Sequence, residues 1–180
     1  MRMPRPLVMT LLILIALAAA ALPASAENQV SRYHSVSMGG ISSDSYTAGE
    51  FAEFSASVEF SRGKALNPAL SLRWLMPLNP LSYEGSLAGL GLDITLFYMG
   101  RHPLARLSPR KSSLAPLLSL TAYVPVADLA NPIFSVGLSP FRLFTGFGYF
   151  SAGVFSLVLD DSFAVDGWGL KLFEFSYMVY

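Results

Sequence analysis

Between Glu50 and Ser61 the chain alternates without a break. Ala52, Phe54, Ala56, Val58 and Phe60 share one parity, and Glu53, Ser55, Ser57, Glu59 and Ser61 share the other. Successive strand side chains point to opposite faces, so the segment reads as a β-strand with one apolar and one polar wall. Leu70, Leu72, Trp74 and Met76 repeat the pattern against Ser71 and Arg73. Leu90, Leu92, Ile94, Leu96 and Tyr98 repeat it again against Gly91, Asp93 and Thr95.

The N-terminus follows a different order. Arg2 and Arg5 precede an apolar run from Leu7 to Leu22, and Ala24, Ser25 and Ala26 precede Glu27. Charge, grease and small residues in that order mark a signal peptide cleaved after Ala26. An uncleaved anchor helix is the competing reading, but the run falls short of the ~20 residues that span a bilayer comfortably. The expected organisation is a signal peptide over residues 1–26 and one β-barrel domain over 27–180. Losing Arg2 and Arg5 but no acid leaves a mature charge of −2, so no global basic field argues for nucleic acid. The chain has no cysteine, which removes lipidation at a cysteine, disulfides and thiolate metal sites. Hydrophobic residues make up 53% and charged residues only 13%, about half the usual charge of a soluble domain. Lipid is the simplest solvent for the excess apolar surface. A barrel closed in lipid also pairs every backbone group without disulfides.

Along the mature chain, strands are expected over about Arg32–Ile41, Glu50–Arg62, Pro68–Met76, Leu87–Met99, Leu114–Val124, Ile133–Leu138, Phe141–Asp160 and Trp168–Tyr180. Pro, Gly, Asn and Ser clusters mark the connections, and Ser139-Pro140 breaks the sixth strand. Arg101–Ser113 is a basic connection carrying Arg101, Arg106, Arg110 and Lys111. Leu143–Leu159 carries no charge and matches a membrane helix by hydropathy alone. Gly146, Gly148 and Gly153 and its aromatic content argue for strand instead.

The chain ends Phe173, Glu174, Phe175, Ser176, Tyr177, Met178, Val179, Tyr180. A terminal aromatic closing an alternating strand resembles the C-terminal signal of bacterial outer-membrane β-barrel proteins. In architecture the whole mature chain is similar to the small eight-stranded members of that class. The resemblance implies an all-β, antiparallel up-and-down transmembrane barrel of about eight strands, the even number of small bacterial barrels. It also implies residence in the bacterial outer membrane, with outer-membrane lipid around it. Phe173, Phe175, Tyr177 and Tyr180 would be read by the barrel-assembly machinery. Trp168, Leu170 and Leu172 sit on the parity opposite to Phe173, Phe175 and Tyr177, so the last strand is expected to change face near Leu172–Phe173 through a bulge.

If the apolar parity faces lipid, Glu53, Glu59, Arg73 and Asp93 face the lumen, which in eight strands is just wide enough for side chains to fill. Unpaired charges there are costly, so Arg73 should pair with one or more of the carboxylates. A polar plug is the first reading and a gated ion or proton path the second. Trp74, Tyr98, Tyr123, Tyr149, Trp168 and Tyr180 lie near strand ends, where girdles of aromatic rings mark the two interfaces. The basic connection is either solvated or set against anionic head groups.

The functional expectation is a structural or surface-interaction role with a plugged polar lumen. A narrow conduit for small apolar molecules is one alternative. A soluble periplasmic lipid-binding barrel, with the two walls exchanged, is another. A lipid-modifying enzyme needs His34 or His102 beside a serine and an acid. On one strand, His34 and Ser35 point to opposite faces, beyond the reach a nucleophile and its base require. No cofactor, metal-ligand cluster, phosphate-binding loop or nucleic-acid motif is read from the chain, and no catalytic residue is assigned.

Overall fold

The computed structural model describes residues 29–44, 49–61, 65–78, 85–99, 113–127, 131–145 and 147–179. The proposed signal peptide, Tyr180 and His102 lie outside the described residues. The regular elements are β1 (Gln29–Ser43), β2 (Gly49–Ser61), β3 (Ala65–Pro77), β4 (Leu87–Phe97), β5 (Ser113–Leu114), β6 (Leu117–Pro125), β7 (Ile133–Ser139), β8 (Phe141–Phe144), β9 (Gly148–Leu159) and β10 (Val165–Val179). Among the described residues all regular structure is strand. Every pairing is antiparallel, and β10 pairs with both β9 and β1. This closes the sheet into an up-and-down barrel, which pairs its first and last strands with each other instead of leaving them as edges among the described residues.

β5 and β6 form one stave, interrupted at Ala115-Pro116, and β7 and β8 form another, interrupted at Pro140. The closed barrel therefore has eight staves. The long seventh strand expected over Phe141–Asp160 is corrected. Phe141–Phe144 completes the preceding stave, Thr145–Gly148 makes a hairpin, and β9 carries the rest. Glycine-rich spacing hid that turn in an otherwise apolar run.

A coordinated irregularity crosses three adjacent staves. Pro140 stands opposite Gly153, and Gly153 opposite Leu172, within registers that run through this level without a shift. Pro140 has no N–H to give the ladder. Gly153 has a φ of +64°, a conformation open to glycine at no steric cost. Each stave changes face at this level. Leu138 and Phe141 both face outward, Ser151 and Val154 both inward, and Lys171 and Glu174 both inward. The extra residue shows as a register shift only at the flanks, where Met38 pairs with Phe173 but Gly39 with Lys171. A Cβ on Gly39 would sit 2.7 Å from Lys171 Cα, so this shifted seam needs a residue without one.

The two walls follow the sequence parity. Phe54, Leu72, Trp74, Leu120, Leu138, Phe155, Trp168, Phe173, Phe175 and Tyr177 are exposed on the outside. Ser37, Ser71, Ser119, Thr121, Ser139, Ser151 and Ser176 are buried inside. Apolar side chains collect in the lumen at two levels. Phe51, Leu75, Leu87, Ile133 and Val158 with Tyr123 form a lid toward the end away from the termini. Tyr33, Tyr98, Ala115, Phe144 and Tyr149 form a second at the terminus end.

Candidate functional site

The lumen between the two apolar layers holds the polar chemistry. Glu53, inward on β2, accepts from Arg73 Nη1 at 3.5 Å, from the Tyr123 hydroxyl at 2.5 Å and from Lys171 Nζ. Arg73, inward on β3, donates its second arm to Asp93 Oδ1 at 2.5 Å and its Nε to Ser71 at 3.0 Å. Lys171 also faces Glu174 at 3.6 Å. Two cations thus meet three carboxylates across four staves, with Arg73 and Glu53 almost wholly buried. Charges drawn this far from water hold only when paired and hydrogen-bonded. The planar fork of Arg73 suits the role, because it engages two acids at once.

Room for this network comes from β4, whose inward positions run Gly89, Gly91, Asp93. A Cβ at Gly89 would lie 2.6 Å from the Tyr123 ring, and one at Gly91 2.9 Å from Arg73 Nε. The absent side chains are the space that the arginine and the tyrosine occupy. A cavity of about 30 Å³ lies beside the network, lined in part by Ser119, Ser135, Gly137 and Ser156. That volume takes a water molecule or two.

A second polar layer sits at the terminus end. Glu59, also inward on β2, accepts from Tyr98 at 2.7 Å and from Tyr149 at 3.0 Å, and those two hydroxyls lie 2.8 Å apart. The Arg142 guanidinium stacks 3.4 Å from the centroid of the Tyr149 ring and donates to Thr95 at 2.9 Å. Tyr33 and Phe144 pack against Tyr149 with centroids 5.1 and 5.0 Å away. Arg142 Nε and the Ser113 hydroxyl are buried here with no protein partner.

Of the four charges singled out by parity, Glu53, Arg73 and Asp93 come together, while Glu59 belongs to the other layer. Trp74 and Trp168 face outward. Tyr98 and Tyr123 correct the reading as interface aromatics, and so does Tyr149. All three point into the lumen, with exposures of 7%, 5% and 1%, because their hydroxyls serve Glu59 and Glu53. Phe173, Phe175 and Tyr177 line the outside of β10.

Lys171, Glu174 and Arg142 were not singled out from the sequence, although each stands between two apolar residues of the outer wall, Lys171 and Glu174 on either side of the expected change of face. Each lies beside the coordinated bulge, where the alternation changes sign. Tyr123 was legible, since it shares parity with Ser119 and Thr121. His34 faces outward with its ring 5.6 Å from that of Tyr177. Ser37 is buried on the opposite wall, so imidazole and hydroxyl stand on different sides of the strand. Among the described residues, no group of three or more His, Cys, Asp or Glu is placed to hold a metal ion. No protein-family model matches the chain, and a search of curated proteins finds no significant relative.

Proposed function

We propose that the chain is an integral outer-membrane β-barrel protein with a plugged lumen, whose role is structural or one of surface interaction. The observation that carries this reading is the outer wall. Among the described residues, every Asp, Glu, Lys and Arg between the level of Arg32 and that of Glu50 turns into the lumen, leaving a belt of exposed Phe, Leu, Trp and Val. Nine steps of β10 from Trp168 to Tyr177, at ~3.3 Å each and a tilt of ~40°, span about 23 Å, close to the apolar band of membrane barrels. A continuous greasy belt of this size is not stable in water.

Chain connectivity divides the remaining charges. Arg62, Lys64, Arg101, Arg106, Arg110 and Lys111 fall on connections that join strand ends at the terminus end, where Arg32 also lies. Asp44, Glu50, Glu84, Asp128, Asp160, Asp161 and Asp166 fall on or beside connections at the far end. Glu27 alone departs from the division. Basic residues on those connections suit an anionic head-group surface.

Two hydrogen-bonded layers crossing the lumen weigh against an open conduit. Serines inside and phenylalanines outside weigh against a soluble barrel holding a lipid within, which needs the reverse arrangement. The test is heat modifiability after separating outer membrane from periplasm. A faster-migrating unboiled band in the outer-membrane fraction is expected, with no steady conductance in planar bilayers. A soluble periplasmic protein with no mobility shift overturns the reading.

A further inference from the structure

Outside the lumen, the seam between β1 and β10 carries a groove of about 430 Å³ toward the far end. Gly40 forms its floor, Met38, Leu170, Leu172 and Trp168 its walls, and Glu50 stands at its upper end. The hollow has two causes. The bulge at Leu172 shifts β10 against β1, and Gly40 leaves an outward position between Met38 and Ser42 without a side chain. A Cβ on Gly40 would have Gly49 O at 3.4 Å and no other atom within 4 Å.

We infer that this groove seats an acyl chain of a zwitterionic phospholipid whose head group ends in an ammonium. The inference rests on the membrane reading above. The groove is continuous with the lipid-facing belt, so a chain already in contact with that belt enters it without crossing water. Its polar end is acidic. Glu50 is exposed there, and Asp44 and Asp166, joined by a backbone hydrogen bond of 3.3 Å, follow just past the Ser42–Trp168 pair that lines the same groove. An ammonium is attracted to that rim, and an anionic head group is repelled. The same rim argues against a second copy. Two barrels sharing a membrane orientation and meeting through this groove would bring like-charged rims together at one level.

The chain's tryptophans, Trp74 and Trp168, provide the test. Trp74→Phe leaves Trp168 in the groove as reporter, and Trp168→Phe leaves Trp74 on the outer face of β3. Each protein is reconstituted in mixed vesicles of phosphatidylethanolamine and phosphatidylglycerol, with one lipid at a time brominated on its acyl chains. Trp168 is expected to be quenched about two- to threefold more by the phosphatidylethanolamine, the scale of an exposed ion pair, and Trp74 equally by both. Glu50→Gln should remove the preference and leave quenching by both lipids. Gly40→Leu, which fills the floor, should remove it as well.

Equal quenching of Trp168 by the two lipids overturns the inference and leaves the membrane reading standing. A preference that survives both Glu50→Gln and Gly40→Leu also overturns it. Trp168 shielded from both lipids while Trp74 is quenched overturns it in favour of a second copy. Quenching of neither tryptophan by either lipid means the barrel is not in the bilayer, and the membrane reading fails first.

Discussion

Glu53 and Glu59 stand on one strand, on one parity, both buried in the same lumen, and their surroundings differ in kind. Glu53 meets two cations, Arg73 and Lys171, as well as the Tyr123 hydroxyl. Glu59 meets the hydroxyls of Tyr98 and Tyr149, with the Arg142 charge spread over the Tyr149 ring instead of aimed at the carboxylate. The far-end layer is a network of ions, each depending on the next. The terminus-end layer is a phenol cradle, and it leaves Arg142 Nε without a protein partner. Buried carboxylates three rungs apart are thus stabilised by opposite strategies. The ionic one should fail abruptly when a member is lost, and the phenolic one gradually.

The largest effect should follow Glu53→Leu, which leaves Arg73 with Asp93 and Lys171 with Glu174 and takes the shared carboxylate from between the two cations. A loss of about 3–5 kcal/mol is expected for breaking a buried pair, measured by denaturant unfolding in vesicles. Adding Lys171→Met should recover part of that loss. A loss no greater than that from Tyr98→Phe would erase the distinction between the layers. Next comes Gly91→Val, which places methyl groups where Arg73 lies and should cost about 1–3 kcal/mol by overpacking. The same substitution at outward Ala88 should be near neutral, and equal effects at the two sites would show that Arg73 does not need the space.

Tyr98→Phe removes one donor from Glu59 while Tyr149 remains, so about 1 kcal/mol is expected from the same unfolding measurement. The smallest effect concerns a carboxylate in water. Asp160, in the β9–β10 turn, accepts from the Ser162 hydroxyl at 2.7 Å and from the backbone N–H groups of Ala164 and Ser162 at 2.9 and 2.8 Å. These bonds, the Ser162 hydroxyl first, hold its pKa below the ordinary carboxylate value. A depressed folded pKa means the contribution is complete above the ordinary value and is lost as pH falls through the depressed one. The Ser162 and Ala164 amide resonances should therefore move together in acid and stay still in Asp160→Asn. Independent movement would show that the turn is not held by this carboxylate.

Much of the barrel was legible because strand alternation is local. Period two announces a strand and its two walls, and it put Glu53, Arg73 and Asp93 on one side before any pairing was known. The same rule misplaced Tyr98. Counted from Leu90 to Leu96, Tyr98 belongs outside, but the chain changes face after Leu96, and the hydroxyl turns in to Glu59. Phe141–Asp160 was illegible for a related reason. A hairpin built on Thr145, Phe147 and Gly148 carries no charge and little polarity, so it resembles the strands on either side.

By itself, the alternation of side chains determined that this chain makes strands with an apolar and a polar wall, and which residues line each within a strand. It did so because successive side chains on one extended backbone need no distant partner to choose opposite faces. Only the tertiary structure decided which charges meet. Glu53 reaches Lys171 only because β10 closes onto β1. The parity change near Leu172–Phe173 announced the bulge that lets Lys171 and Glu174 share the lumen, but not that it recurs at the same level on three staves. Closure and register are relations between strands remote in sequence. A local period can show where a strand changes wall, but it does not record which residues of the neighbouring strands then stand opposite.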